Sequence, residues 1–367
     1  MKNKTIILHD TFLYKGGGER LILMMAKSLD ADLASGFFSK GSFDLRKEGF
    51  KGKMISVSSE IFKKGFRHIK LKWGFLFNTS FLKQYDTVIF SGDSISAVRN
   101  CRQDTKKIYY CHTPPRYLYD LKDVYYKKVP LVLKPFFNIL TYIFKKMYEY
   151  DISKMDLILT NSINTKNRIK KFLGIDSVVL YPPVDLSQFK YINQGDYYLS
   201  FARLSHAKRV DKIVEAFKQM PDKKLIVIYG ENDPQKNEIF DIAEGYKNIQ
   251  FITLPGNVGF TDYIGKCIAS IYIPVDEDFG MSPVESMSAG KPVLGVNEGG
   301  LKETIIDKKT GILIQDGTDI DEIIKAVNYL SPDICLSMRD DCEKRAADFS
   351  LSNFEIKLNG LVYNDKK

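Results

Sequence analysis

Cysteine is sparse and scattered in this chain. The five residues stand at positions 101, 111, 267, 335 and 342, with no C-x-x-C pair and no cluster with histidine, which excludes a zinc-knuckle or disulfide-stapled design. Dispersed thiols in odd number suit a reducing cytoplasm. Long apolar runs are missing too. The nearest approach, Leu131 to Phe144, is broken by Lys134 and Pro135, so no transmembrane span is expected. The lead-in from Met1 to Lys4 is too short for a signal peptide. Internal repeats and low-complexity tracts are absent. No G-x-G-x-x-G follows the first predicted strand, so a nicotinamide enzyme is poorly supported.

What is present bounds the answer further. With 367 residues, 44% hydrophobic and 27% charged, the chain is long enough for two globular domains with sizeable cores. The net charge of +9 suits phosphate-bearing substrates, nucleic acid or an anionic membrane surface, and does not choose among them. Basic residues gather in two aromatic-rich stretches. Between Lys51 and Lys72 the only acid is Glu60, and Phe62, Phe66, Ile69, Trp73 and Phe75 are interleaved or adjacent. Between Lys122 and Lys146 lie Lys127, Lys128, Lys134, Lys145 and Lys146 among Tyr, Phe and Leu. Such a mixture suits a helix lying in an anionic membrane interface, where each basic residue is worth about 1 kcal/mol. The plain alternative is a solvated basic face over an ordinary core.

The periodicity alternates strands and helices, which predicts an α/β architecture. Thr5 to His9 reads as a buried strand, followed by Gly16-Gly17-Gly18 and a helix from Leu21 to Leu29. Glycines there let backbone N–H groups approach phosphate; the alternative is a simple strand-to-helix turn. Strands over Tyr85–Phe90 and Ile108–Cys111 end in Ser91-Gly92-Asp93-Ser94 and in His112-Thr113-Pro114. Leu186 to Gly195 reads as an interdomain linker. A second alternation begins with the strand Tyr197–Phe201, which leads to Arg203 and Lys208. A guanidinium fork and a point ammonium together can clamp a diphosphate, and a surface salt-bridge pair is the competing explanation.

The stretch Glu277-Asp278-Phe279-Gly280-Met281-Ser282-Pro283-Val284-Glu285 organises the second half. A strand over Ile268–Val275 precedes it and a helix follows, with Ser282 placed to cap that helix and Pro283 at its first position. Glu277 then leaves a strand and Glu285 enters the first helical turn, where free N–H groups and the dipole favour hydroxyls and anions. Ser282 and Glu285 also have the spacing of a capping box, so Glu285 has a purely structural alternative.

This segment, with its Phe-Gly pair, its Pro two residues before the second Glu and the Ala289-Gly290-Lys291-Pro292-Val293 that follows, resembles the E-x7-E signature of retaining glycosyltransferases of the glycosyltransferase 4 family. The resemblance covers essentially the whole chain, most strongly from 197 to 315. It departs at Ala202, where relatives carry Gly, and at Pro182-Pro183, where many carry Asn-Gly. It implies the GT-B fold: two Rossmann-like domains facing across a cleft, an acceptor-side domain over 1–188, a nucleotide-sugar domain over 189–350 and a helix over 351–367 that crosses back. It implies catalytic roles for Glu277, His112, Arg203 and Lys208. Donor binding would fall to Gly17, Gly18, Arg203, Lys208, Gly230, Asn257, Val258, Glu277, Phe279, Gly280, Met281, Ser282 and Glu285. No cofactor and no metal are implied, the nucleotide sugar being a co-substrate. The pairing of Cys111-His112-Thr113-Pro114-Pro115-Arg116 with Arg203 to Asp211 looks most like bacterial O-antigen mannosyltransferases. Those use GDP-mannose and a lipid-linked oligosaccharide acceptor at the cytoplasmic face of the membrane, with no nucleic-acid partner. A UDP-sugar donor, a nucleotide-sugar hydrolase or epimerase on the same fold, and a non-enzymatic membrane-surface or nucleic-acid binding protein remain open alternatives.

Overall fold

The computed structural model describes residues 3–60, 64–254 and 258–363; Phe62 and Asn257 lie outside them. The chain divides into two compact units, Met1–Tyr181 with Glu355–Lys367, and Pro182–Phe354.

The first unit is built on a seven-stranded sheet. Its strands are β1 (Thr5–His9), β2 (Asp32–Ser35), β3 (Met54–Ser56), β4 (Thr87–Ser91), β5 (Lys106–Cys111), β6 (Leu157–Thr160) and β7 (Val178–Val179). All pairings are parallel, in the order β3-β2-β1-β4-β5-β6-β7. Parallel neighbours need crossovers, which α1 (Gly17–Ser28), α2 (Lys64–Phe77), α3 (Lys122–Lys127), α4 (Lys134–Ile152) and α5 (Ile163–Leu173) supply. The five residues of β1 are all buried, as expected of a strand covered on both faces. The strand order reverses between β1 and β4, which opens a crevice at their carboxyl ends.

The second unit repeats the plan. Its strands are β8 (Tyr197–Ser200), β9 (Lys224–Ile228), β10 (Ile249–Ile252), β11 (Ser270–Tyr272), β12 (Val293–Val296) and β13 (Gly311–Ile314). They pair in parallel as β10-β9-β8-β11-β12-β13, with the reversal between β8 and β11. The connections carry α6 (Val210–Lys218), α7 (Lys236–Ala243), α8 (Phe260–Lys266), α9 (Met281–Ser288) and α10 (Leu301–Thr304). Helices α11 (Ile320–Tyr329), α12 (Pro332–Ser337), α13 (Arg339–Ala347) and α14 (Leu351–Tyr363) close the chain. Helix α6 shows why these elements dock: Val210, Ile213, Val214 and Phe217 recur at helical spacing and are all fully buried. Helix α14 returns to the first unit, where Ser28 Oγ donates to Glu355 at 2.7 Å and Lys106 Nζ to the Val362 carbonyl at 2.7 Å.

Several local readings shift. The strand expected over Ile268–Val275 shrinks to Ser270–Tyr272, because Pro274 offers no N–H and Asp276 turns to φ +43°. The stretch between α11 and α13 carries a short helix that the pattern did not signal, α12, capped by Ser331. Leu186–Gly195 is not a free linker: Ile192 and Gly195 donate backbone N–H groups to Gly265 and Lys266 at 3.0 and 2.8 Å.

Candidate functional site

In the second unit the loops leaving β8 and β11 meet at the reversal point. Lys208 ends a short turn after β8, and its ammonium donates to Glu277 Oε2 at 2.5 Å and to Tyr272 Oη at 2.7 Å. Lys208 and Glu277 are each about three-quarters covered (23% and 24% exposed), so the pair is reachable from solvent but not dissolved in it. Burial, reinforced by the Glu277 charge, pushes the Tyr272 hydroxyl well above its usual range, so it stays neutral beneath the ion pair.

Backbone fixes where Glu277 points. Glu298 accepts the Asp276 N–H at 3.2 Å and an Arg209 Nη1–H at 2.9 Å, and Gly300 N–H donates to the Glu277 carbonyl at 2.8 Å. A Cβ at Gly299 would stand 2.3 Å from the Glu277 carbonyl oxygen, and one at Gly300 2.5 Å from that of Asp278. The Gly299-Gly300 turn is therefore the mould for the carboxylate loop.

Helix α9 starts earlier than Ser282 implies. Gly280, at φ +85°, is its N-cap with no side-chain cap, so Ser282 and Pro283 are its second and third residues. The Ser282–Glu285 capping box therefore does not form. Glu285 sits buried in the second turn, and its charge also reaches Tyr272. Met281 and Ser282 are half-buried at the open helix end, whereas the Phe279 ring packs on Phe349 at 5.4 Å, leaving only its backbone for a ligand. Arg203 is 69% exposed, with Nε 3.5 Å from Asp233. Asp233 in turn accepts the N–H groups of Leu204 and Gly230 at 2.9 and 3.0 Å, tying the loop after β8 to the loop after β9. Gly230 and Val258 are exposed; Asn257 lies outside the described residues.

The first unit gathers its polar residues at the equivalent point. Gly17 and Gly18 are not in the loop but open helix α1, with Gly16 as N-cap. Gly18 faces His112, whose ring lies 3.8 Å from where a Cβ would stand. His112 Nε2 and His9 Nδ1 share the Ser91 hydroxyl at 3.0 and 3.1 Å. Burial pushes His112 down to about 4, and burial with the neighbouring His112 pushes His9 down to about 3. Both rings are therefore neutral near pH 7, so His112 offers a hydrogen bond and no charge. Sequence reasoning missed Tyr272, Glu298, Ser91 and His9. The signal available for three of them was position: Tyr272, Ser91 and His9 are the last residues of β11, β4 and β1.

Residues 187–349 match the family profile described as Glycosyl transferases group 1, a span containing Arg203, Lys208, Tyr272, Glu277 and Glu285. The chain is 29% identical over 253 residues to the alpha-1,3/1,6-mannosyltransferase ALG2 of Saccharomyces cerevisiae, covering 54% of this chain and 47% of the yeast protein. It is 26% identical over 332 residues to ALG2 of Dictyostelium discoideum, covering 76% of each. It is 24% identical over 244 residues to the human GDP-Man:Man(3)GlcNAc(2)-PP-Dol alpha-1,2-mannosyltransferase, covering 59% of this chain and 50% of the human one. The matched region thus spans about half the length of the yeast and human proteins. Among solved structures, sucrose-phosphate synthase from Thermosynechococcus elongatus superposes with a TM-score of 0.76 at 14% identity, covering 98% of both chains. A glycosyltransferase from Rickettsia africae ESF-5 gives 0.72 at 16%, covering all of both. The fold is GT-B.

Proposed function

We propose that this chain is a retaining hexosyltransferase of the glycosyltransferase 4 family. It moves mannose from GDP-mannose to a lipid-linked oligosaccharide, in surface-polysaccharide assembly of the O-antigen type. The observation that carries the reading is the ammonium–phenol–carboxylate cluster of Lys208, Tyr272 and Glu277, at the reversal point of the unit that matches the group 1 profile. Lys208 supplies a fixed positive charge for the departing diphosphate, and the exposed Arg203 guanidinium an adaptable second one. The open end of α9 adds N–H groups and the positive end of its dipole. Glu277 and the backbone of Phe279, Gly280, Met281 and Ser282 hold the donor sugar's hydroxyls; Glu285 holds the ribose. Gly230 and Val258 flank the base. Gly17, Gly18 and the neutral His112 serve the acceptor side. Charge developing on the leaving diphosphate is stabilised where it forms, and attack from the same face retains the anomeric configuration. Because Lys208 already engages Glu277, no covalent intermediate is assigned to that carboxylate. No metal is assigned either. Asp276-Glu277-Asp278 does spell Asp-x-Asp, so that part of the proposal rests on Lys208 and Arg203 and not on a missing motif.

Mannose is favoured because the yeast, slime-mould and human relatives are all named as mannosyltransferases, the human one as GDP-mannose-dependent. Calorimetry with GDP, UDP, ADP, GDP-mannose and UDP-glucose tests the donor. Tight GDP binding, weakened roughly tenfold or more in Arg203→Ala, is expected, since a hydrogen bond to a charged group contributes about 1.5–3 kcal/mol. UDP preference keeps the transferase and discards mannose; no nucleotide binding discards the donor site. The anomeric coupling constant of the product, read by NMR, decides retention.

A lipid-linked acceptor calls for a position at a membrane, which we assign to the inner face of the cytoplasmic membrane, and one surface suits that position. No described helix is long and apolar enough to cross a membrane. Leu131, Val132, Phe136, Ile139 and Tyr142, before and along α4, are all exposed, Val132 at 89%. From 122 to 149 six lysines face two acids, Asp123 and Glu149. Exposed apolar side chains rimmed by lysine match an anionic bilayer. Val132→Asp with Phe136→Asp is expected to weaken co-sedimentation with phosphatidylglycerol vesicles at least tenfold while nucleotide binding persists. Unchanged vesicle binding, or conversion of a dimer to a monomer by the same change, assigns this face to something other than lipid.

A further inference from the structure

The crevice at the carboxyl end of the first sheet holds a carboxyl group that the reading above leaves unused. Asp10 follows β1 directly, beside the strand-order reversal, and is half-buried. Its Oδ1 accepts the Ser94 N–H at 3.2 Å, and the Asp93 backbone also reaches it. Gly92 is shaped around it: φ is +66°, and a Cβ there would lie 2.2 Å from Asp10 Oδ2. The neighbouring carboxylate is committed elsewhere. Asp93 binds Lys72 Nζ at 3.3 Å and His68 Nδ1 at 3.1 Å, both from α2. Nearby, the Tyr117 hydroxyl is buried without a hydrogen-bond partner among the described residues, and it feels the charge of both carboxylates. A buried donor left unsatisfied beside a carboxyl group is what a hydroxylic ligand would complete.

We infer that Asp10 is a sugar-binding carboxylate of the acceptor side, which in its ionised form accepts a hydrogen bond from a hydroxyl of the incoming acceptor sugar. The assignment rests on the transferase reading above.

The two carboxyl groups titrate apart. Burial alone would raise Asp93, but the Lys72 ammonium and His68 outweigh it and hold Asp93 below the usual carboxylate range. Burial, then the charge of Asp93, pushes Asp10 up to about 7, against the opposing pull of His68 and Lys72. Groups pushed apart in this way mark working positions in sites. Below neutrality Asp10 is protonated and keeps only the weaker acceptor of a neutral acid; above it the charged carboxylate is available. Acceptor affinity therefore rises with pH through neutrality.

The test is transfer from the nucleotide sugar that calorimetry selects, with the organic-solvent lipid extract of the source cells' membranes as acceptor. Apparent KM for acceptor and for donor are followed across neutral pH. For wild type, acceptor KM falls as pH rises through about 7 while donor KM stays level. For Asp10→Asn, acceptor KM rises roughly 10- to 100-fold, donor KM changes less than about twofold, and the pH dependence disappears. A wild-type acceptor KM that is flat through pH 7 overturns the assignment even if the variant fails to fold. So does an Asp10→Asn enzyme with wild-type acceptor KM. Absence of any transfer by wild type, to this extract or to water, overturns the underlying transferase reading instead.

Discussion

Lys208→Ala lowers kcat for sugar transfer by roughly 10²–10³-fold, the range seen when one preorganised group facing developing charge is removed. The structure pins the Lys208 head group directly to Glu277, and its second hydrogen bond, to the neutral Tyr272 hydroxyl, holds it there before any substrate arrives. Preorganisation of that kind acts on the transition state, where the diphosphate gains charge, so kcat and kcat/KM are expected to fall together. Lys208→Arg rescues little: the planar fork cannot fill the space of a point ammonium seated 5.0 Å over the Tyr272 ring. Glu277→Ala falls by a similar factor, and Lys208→Ala/Glu277→Ala is no worse than the more damaged single variant, because the two act as a unit. Circular dichroism checks that the fold survives. A Lys208→Ala enzyme within threefold of wild type, or two losses that simply multiply, would remove the cluster from the chemistry.

Which parts of this site the sequence could reveal follows from how far apart the partners stand along the chain. Glu277, Ser282 and Glu285 fall within nine residues, and Arg203 and Lys208 within six, so local spacing was enough to nominate them. Tyr272 and Glu298 meet Lys208 and Arg209 across 64 and 89 residues, and only the parallel sheet order brings them together. The capping assignment at Ser282 went astray for a local reason: Gly280 adopts a conformation favoured by glycine and starts the helix two residues sooner. In the first unit His112 was visible because an imidazole follows a strand, whereas His9 read as a strand residue and Ser91 as part of an ordinary turn after one. Their shared hydrogen bonds arise because β1, β4 and β5 are neighbours in the sheet. The α/β alternation and most strands were legible because buried parallel strands are short apolar runs between glycine- and proline-rich turns. The length of β11 and the presence of α12 were not, since Pro274 removes a single N–H and Ser331 caps with a single hydrogen bond.

The largest stability effect is expected at Asp93. Lys72 is only 5% exposed, Asp93 12%, and their heads lie 3.3 Å apart. Asp93→Ala leaves the Lys72 ammonium buried without the contact at 3.3 Å, with only the charges of Asp10 and Asp151 and the face of Phe144, 5.1 Å away, to balance it. Breaking a buried pair from one side typically destabilises by about 3–5 kcal/mol, because the remaining charge has lost its partner and is denied water. Removing both charges, with Lys72→Met and Asp93→Asn, is expected to restore at least half of that loss, since no unpaired ion remains and Asn can still meet His68. Acid reaches the same contact by another route. With its folded-state value held below the usual range, Asp93 contributes stability that is full above about pH 4, its unfolded value, and is lost as pH falls further. The chain offers its own reporter: the single tryptophan, Trp73, adjoins Lys72 on α2, so its fluorescence in urea reads the first unit and not the second. A midpoint shifted by the single change, an unchanged slope and partial recovery in the double variant would establish that this ion pair anchors α2 to the strand end carrying Asp93, beside Asp10. A single variant as stable as wild type would mean that Lys72 reaches water when its partner is gone.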